Sequence, residues 1–222
     1  MITLENVRFS YPGDSFELRI DQLDIESVET VAFVGPSGCG KTTLLNLISG
    51  VFLPDAGMIT VAGTRVSDLR PQERQTFRIE NIGLVPQNFE LLDYLTVREN
   101  ILVPFRISSA KSLPDDILAR CEELAESAGI VSHLGKYPSQ LSQGERQRSA
   151  LCRGLITSPK LILADEPTGN LDPENQEKIV DLLLEEASRI GSTVVMITHE
   201  PELLPRFSRT VNVLELREGG AR

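Results

Sequence analysis

The sequence predicts an α/β protein built on a parallel sheet, and three stretches carry that prediction. They are "TVAFVGPSGCGKTTLLNLISG" beginning at Thr30, "KLILADEPTGNLD" beginning at Lys160 and "STVVMITHE" beginning at Ser192. The first reads as a buried strand from Thr30 to Val34, a glycine-rich turn, and a helix whose Leu44, Leu45, Leu47 and Ile48 suit a packed face. In the second, Leu161 to Ala164 form the continuous apolar run expected of a strand covered on both sides, as parallel strands are. The third is another such run, ending on His199. With 222 residues the chain lies below the ~250–300 at which single cores divide, so one domain over residues 1–222 is expected.

Composition excludes several classes. Hydrophobic residues at 41% and charged ones at 24% lie far from the disordered regime. Runs such as "LILA" and "TVVMIT" fall short of the ~20 apolar residues of a membrane-spanning helix, and "MITLENVRFS" lacks a basic n-region followed by an apolar one, so a cytosolic chain is expected. Cys39, Cys121 and Cys152 have no paired spacing, which points to reduced thiols rather than a disulfide framework or a zinc site. The formal net charge of -10 disfavours a nucleic-acid partner, because phosphate backbones are held by Lys and Arg. A small phosphate ligand remains open, since a local site holds one whatever the net charge.

Such a site is visible after the first strand. The turn Gly35-Pro36-Ser37-Gly38-Cys39-Gly40-Lys41-Thr42, followed by Thr43, is a complete G-x-x-x-x-G-K-[ST] phosphate loop. Its glycines let successive N–H groups converge on a polyphosphate, and the following helix adds its positive dipole end. Lys41 supplies a mobile charge for the outer phosphates, and Thr42 offers a hydroxyl to Mg2+, which takes oxygen ligands. Cys39 reads as a small residue at a tolerant position, with a redox-sensitive thiol as the alternative.

The second strand ends on Asp165 and Glu166, at the edge where open α/β sheets place ligands. Asp165 is expected to hold Mg2+ through water and Glu166 to polarise the attacking water, which keeps one carboxylate on the metal and frees the other. His199, at the end of the third strand, projects toward the same γ-phosphate region. His133, in "GIVSHLGKYP", has no such context and reads as a surface residue. The segments "ITLENVRFSY" and "FELRIDQLDI" alternate polar and apolar residues, as antiparallel strands over the nucleotide site would. "PDDILARCEELAESAGI" reads as a helix that starts at Pro114-Asp115, has apolar positions at Ile117, Leu118, Leu124 and Ala128, and stops at Gly129.

Taken together, the phosphate loop at 35–42, "QNF" at Gln87, "LSQGERQ" from Leu141, "LILADE" ending at Glu166, "GNLD" ending at Asp172, and His199 occur in the order and spacing of ABC transporter nucleotide-binding domains, which the chain resembles over essentially its whole length. The resemblance implies a RecA-like P-loop core, an N-terminal antiparallel β subdomain, and an inserted helical subdomain over about residues 88–150. It implies that Leu141, Ser142, Gln143, Gly144 and Glu145 form the signature motif, which binds the γ-phosphate of ATP held by a second copy. The usual form is Leu-Ser-Gly-Gly-Gln, so Gln143 adds bulk and Glu145 a negative charge, which bears on the strength of dimer closure.

By the same resemblance Tyr11 stacks on adenine, although a tyrosine beside Pro12-Gly13 also fits a solvent-facing turn. Gln87 senses Mg2+ and the γ-phosphate, and Asp172 lines the shared interface beside the partner's phosphate loop. The catalytic set is then Glu166, His199, Lys41 and Gln87, the metal-side set Thr42, Gln87 and Asp165. "FELLDYLTVRENILVPF" would form a groove for a helix of an integral membrane permease, while a plain amphipathic surface gives the same pattern.

The implied protein hydrolyses ATP with Mg2+, dimerises head to tail, sits on the cytoplasmic face of the inner membrane and never touches the cargo. "LADEPTGNLD" and the 87–105 segment resemble the branch of lipoprotein-release, macrolide-export and cell-division ATPases. A soluble ABC-type ATPase of DNA repair or translation is the alternative; such proteins usually carry a coiled-coil insertion, zinc fingers or tandem cassettes, none of which the sequence shows. A P-loop kinase or GTPase would leave residues 141–145, Gln87 and His199 without roles.

Overall fold

The structure is a computed structural model and describes residues 1–13, 16–107, 116–169 and 171–217. Strands β1 (Ile2–Ser10) and β2 (Glu17–Ile25) pair antiparallel from Ile2 opposite Ile25 to Ser10 opposite Glu17. Strand β3 (Thr30–Val34) leads through the glycine-rich turn into helix α1 (Lys41–Ile48). Strands β4 (Ala56–Val61) and β5 (Thr64–Arg65) return to the antiparallel sheet, whose order is β2-β1-β4-β5. The alternation read in the first 25 residues thus forms the antiparallel layer expected of it.

Helix α2 (Pro71–Asn81) precedes strand β6 (Ile82–Val85). A helical region follows: α3 (Val97–Ile101), α4 (Val103–Ile107), α5 (Ile117–Ser127) and α6 (Gln143–Leu155). The expected start of α5 at Pro114-Asp115 lies outside the described residues, and its expected stop holds, Gly129 standing just beyond it with φ +65°. The chain then completes the parallel sheet through β7 (Leu161–Asp165), helix α7 (Pro173–Ile190), β8 (Thr193–Ile197) and β9 (Arg209–Asn212), ending in helix α8 (Val213–Arg217). None of the described helices is long and apolar enough to cross a membrane.

The second sheet is parallel in the order β6-β7-β8-β3-β9, which accounts for the unbroken apolar runs. Side chains alternate between its faces. Val31, Phe33, Leu161, Leu163, Val195 and Ile197 pack with α1 and the antiparallel layer. Ala32, Ile162, Ala164, Val194 and Met196 pack with α3, α5, α6 and α7. Both faces are dry, so neither set carries a polar residue.

Register then brings the functional ends together. Phe33 pairs with Ile197 and Ile197 with Asp165, so β3, β7 and β8 end in one row. The phosphate loop, Glu166 and His199 follow within two residues of that row, and Gln87 follows β6, whose Val85 pairs with Ala164. A sheet edge of this kind is where doubly wound folds collect ligands.

One close approach fixes the helical region against the sheet. A Cβ on Gly83 of β6 would stand 2.3 Å from the Gly154 carbonyl oxygen of α6 and 2.8 Å from Pro159 Cγ. The backbone of α6 rests directly on the strand. Gly83→Ala is therefore expected to destabilise the protein by about 1–3 kcal/mol, the usual cost of overpacking; urea unfolding at equilibrium checks it, and a wild-type midpoint would show that the strand and helix separate freely.

Candidate functional site

The phosphate loop is shaped by backbone that only glycine adopts readily. Gly40 has φ +107°, and a Cβ there would lie 2.9 Å from the Phe16 ring. The loop closes on itself: the Cys39 N–H donates to the Pro36 carbonyl, and the Lys41 ammonium donates to the carbonyls of Gly35 at 2.9 Å and Pro36 at 3.0 Å. Lys41 is buried, so its charge is held over the loop rather than in solvent.

The start of α1 differs from those of α3, α6 and α7. No side chain caps it at Gly40. Helices α3, α6 and α7 each carry a cap, from Thr96, Ser142 and Asp172. The first-turn N–H groups of α1 therefore have no side-chain acceptor while sitting at the positive end of the helix dipole, which suits an anion.

Beside this turn, the Thr42 hydroxyl donates to Asp165 Oδ1 at 3.3 Å. Burial pushes the Asp165 carboxyl above its ordinary 3.8, against the pull of that hydrogen bond. Glu166 comes next with φ +44°, a left-handed conformation that costs a non-glycine residue on the order of 1–2 kcal/mol. Its N–H donates to the Ile197 carbonyl of β8, and its carboxylate receives two neighbours: Gln87 Nε2 at 3.1 Å and His199 Nε2 at 2.7 Å. Three residues 33 to 112 positions apart in the chain thus meet at one carboxylate.

Tyr11 closes the other side. Its hydroxyl shares a 2.9 Å hydrogen bond with Thr43, and its ring stands edge-on to Phe9 and Phe52 and tilted against Phe16. A cleft of about 490 Å³ is lined by Tyr11, Phe16, the phosphate-loop residues Ser37, Gly38, Gly40, Lys41, Thr42 and Thr43, and by Glu166 and His199. The sequence-derived residues on the nucleotide side are thereby brought together, with Asp165 and Gln87 in direct contact with members of the set.

Ser142, Gln143, Gly144, Glu145 and Asp172 do not line that cleft. They form a second cluster. Ser142 caps α6: its Oγ accepts from the Glu145 N–H, and its own N–H donates to Glu145 Oε2 at 2.7 Å. The negative charge that Glu145 adds to the signature turns back into this reciprocal cap, and the Ser142 N–H holds its carboxyl below its ordinary 4.5. His133 is not the surface residue expected: half-buried, its Nδ1 lies 3.4 Å from Glu145 Oε1, too poorly aligned for a hydrogen bond. Asp172 caps α7 through the Asn175 N–H and side chain, and Asn175 also faces the signature, since a Cβ on Gly144 would lie 3.6 Å from its Oδ1.

Sequence reasoning missed Asn175, Phe16 and the pairing of His133 with Glu145. The Ser-x-x-Glu spacing at 142–145 was a legible capping signal; the other contacts are tertiary. The cysteines are free and buried.

A phosphate-cradling turn, a hydroxyl and carboxylate beside it, and a Glu-Gln-His node at the edge of a parallel sheet define a P-loop ATPase. Comparison with known proteins narrows the class. The family profile described as "ABC transporter" matches residues 18–169, and the chain belongs to that family as an ATP-hydrolysing, ATP-binding cassette. A second profile, described as "AAA domain, putative AbiEii toxin, Type IV TA system", matches residues 135–204.

Among similar proteins, the lipoprotein-releasing system ATP-binding protein LolD of Bacteroides fragilis is 38% identical over 215 residues, covering 97% of this chain and 98% of its own. The methionine import ATP-binding protein MetN of Caulobacter vibrioides is 38% identical over 216 residues, covering 97% of this chain and 64% of its own. The dimeric post-hydrolysis structure of the ATP-binding cassette MJ0796 bound to ADP and Pi superposes with a TM-score of 0.85 at 31% identity, covering 96% of this chain and 95% of that one.

The cap on α6 has a pH signature. A carboxyl whose folded pKa is depressed contributes stability that is complete above its unfolded value and lost as pH falls through the folded one. Glu145→Gln keeps an acceptor for the Ser142 N–H but removes the charge. It is expected to be less stable than wild type between pH 7 and about 5, with the two curves converging below about pH 4.5. Urea midpoints across that range check this; parallel curves at every pH would exclude it.

Proposed function

We propose that two copies of this chain assemble head to tail around two Mg-ATP and drive a membrane permease. The reading is carried by the separation just described: one cleft holds the phosphate loop and the Glu166 node, while the capped signature cluster lies outside it. A site split in this way is completed by a second copy. The dimeric cassette structure of MJ0796 supports the arrangement.

In this assembly Tyr11 stacks on adenine, the loop from Gly35 to Thr43 wraps the phosphates, and Lys41 leaves its two carbonyls to offset charge on the outer phosphates. Thr42 and Asp165, a hydroxyl and a carboxylate within hydrogen-bonding distance, are the hard oxygen donors that Mg2+ takes, and Gln87, held on Glu166 next to Asp165 in the chain, is the third member of that set. Bound there, the ion would offset negative charge on the polyphosphate. Glu166 orients the attacking water, and His199 and Gln87 hold its carboxylate in place from either side. Ser142 and the N–H groups at Gly144 meet the γ-phosphate of the opposite copy, with Gln143 and Glu145 flanking them and Asp172 at the shared interface. Positioning and electrostatics supply most of phosphoryl-transfer catalysis, and this set supplies both.

The permease contact is assigned to a groove of about 640 Å³ between the sheet edge and the proposed helical subdomain at 88–150. Leu84 and Val51 on the core side and Val103, Pro104 and Ile107 on α4 give it an apolar lining, and Leu84, Val51 and Ile107 are exposed. An amphipathic helix fits such a surface. A permease helix seated there would hold the protein peripherally on the cytoplasmic face of the inner membrane, away from the cargo. The likeness to the lipoprotein-releasing protein is in keeping with an export or mechanotransmission system, and the equal likeness to a methionine-import protein is in keeping with a permease that sets the direction.

Glu166→Gln is expected to bind ATP, to lose turnover by about 100-fold or more, and to run as a dimer with ATP on size exclusion, against a wild-type monomer. An unchanged hydrolysis rate would take Glu166 out of its role. Ser142→Arg is expected to abolish turnover and leave ATP binding to the monomer intact; fluorescent-nucleotide titration reads this, and collapse of monomer affinity would refute the split site.

A further inference from the structure

Helix α6 begins at the signature segment and ends beside the loop that carries Gln87. Near that end Arg153 reaches across to the loop: Nη1 donates to the Glu90 carbonyl at 2.5 Å and Nη2 to the Phe89 carbonyl at 2.7 Å. Both acceptors belong to residues in the left-handed region, Phe89 at φ +51° and Glu90 at φ +49°. Neither is glycine, so the turn holds a conformation that L side chains disfavour and that its surroundings must impose.

A guanidinium suits this task. Its planar fork presents two N–H groups to two adjacent carbonyls at once, whereas an ammonium is a single point charge. Arg153 is half-buried, and that burial pulls its pKa below its ordinary 12.5. Two residues before Phe89 is Gln87, whose amide donates to Glu166 Oε2 at 3.1 Å.

We infer that Arg153 is a positioning residue for ATP hydrolysis: it fixes the Phe89-Glu90 turn, the turn places Gln87, and Gln87 places the Glu166 carboxylate. Ser142 and Arg153 stand eleven residues apart on one helix, about 16 Å at 1.5 Å per residue, so movement of the signature segment against a second copy is delivered at the far end to the Gln87 loop. Arg153 and Glu90 also line the groove assigned to the permease, so a helix seated there bears on the same contact. The inference rests on the roles proposed for Glu166 and Gln87.

The test uses the full chain with Mg-ATP and the variants Arg153→Lys, Arg153→Gln, Gln87→Ala, Glu166→Gln and the double variant Gln87→Ala/Arg153→Gln. Loss of the fork is expected to lower kcat by about tenfold in both Arg153 variants, while ATP affinity by fluorescent-nucleotide titration moves less than about twofold. In the Gln87→Ala background Arg153→Gln is expected to cost nothing further, because both act through one contact. Wild-type kcat in Arg153→Lys, the same fractional loss from Arg153→Gln in both backgrounds, or a fall in affinity matching the fall in kcat would each overturn the inference, the last by showing fold support alone. Wild-type turnover by Glu166→Gln would instead remove the assignment beneath it, and the inference with it.

Discussion

The first turn of α1 is the constraint around which the rest is arranged. A helix start leaves four N–H groups without intrahelical partners, and proteins ordinarily supply a side chain to take one of them. Ser142 and Asp172 do this for α6 and α7, and Gly40 does not for α1. What stands over that turn is a cation and two hydroxyls: Lys41 is folded over the loop, and Thr42 and Thr43 stand at its edge, with the Asp165 and Glu166 carboxylates on the far side of Thr42 and of the cleft. Lys41 is the one buried lysine among the described residues.

Around that turn the sheet acts as a ruler. Parallel register lines up the ends of β3, β7 and β8, so residues from distant parts of the sequence arrive at the phosphate side with little help from loops. Glu166 shows how local strain and global register combine. Its left-handed backbone turns the chain at the strand end, and the Gln87 and His199 contacts fix the side chain that results. Preorganisation of this kind removes the reorganisation that a flexible carboxylate would need during the reaction.

Much of this was legible in the sequence because it is local or periodic. The phosphate loop, the strand carrying Asp165 and Glu166, and the strand ending at His199 have turn chemistry and apolar runs that read without a structure. The antiparallel layer was legible by alternation. Strand β6, with four residues, and edge strand β9, "RTVN", offered too short a pattern. The place of Glu145 is readable from its spacing to Ser142, which is that of a capping box. The pairing of His133 with Glu145, and the contact of Asn175 with Gly144, follow from packing between segments far apart in sequence, which no periodicity records.

The bare contact between Gly83 and Gly154 has an evolutionary corollary. Strand β6 leads into one half of the chemistry and helix α6 carries the other, and they touch where Gly83 has no room for a single methyl group. A change that refits the neighbouring groove to a different membrane subunit would have to work around this one glycine, because a larger side chain there would push strand and helix apart.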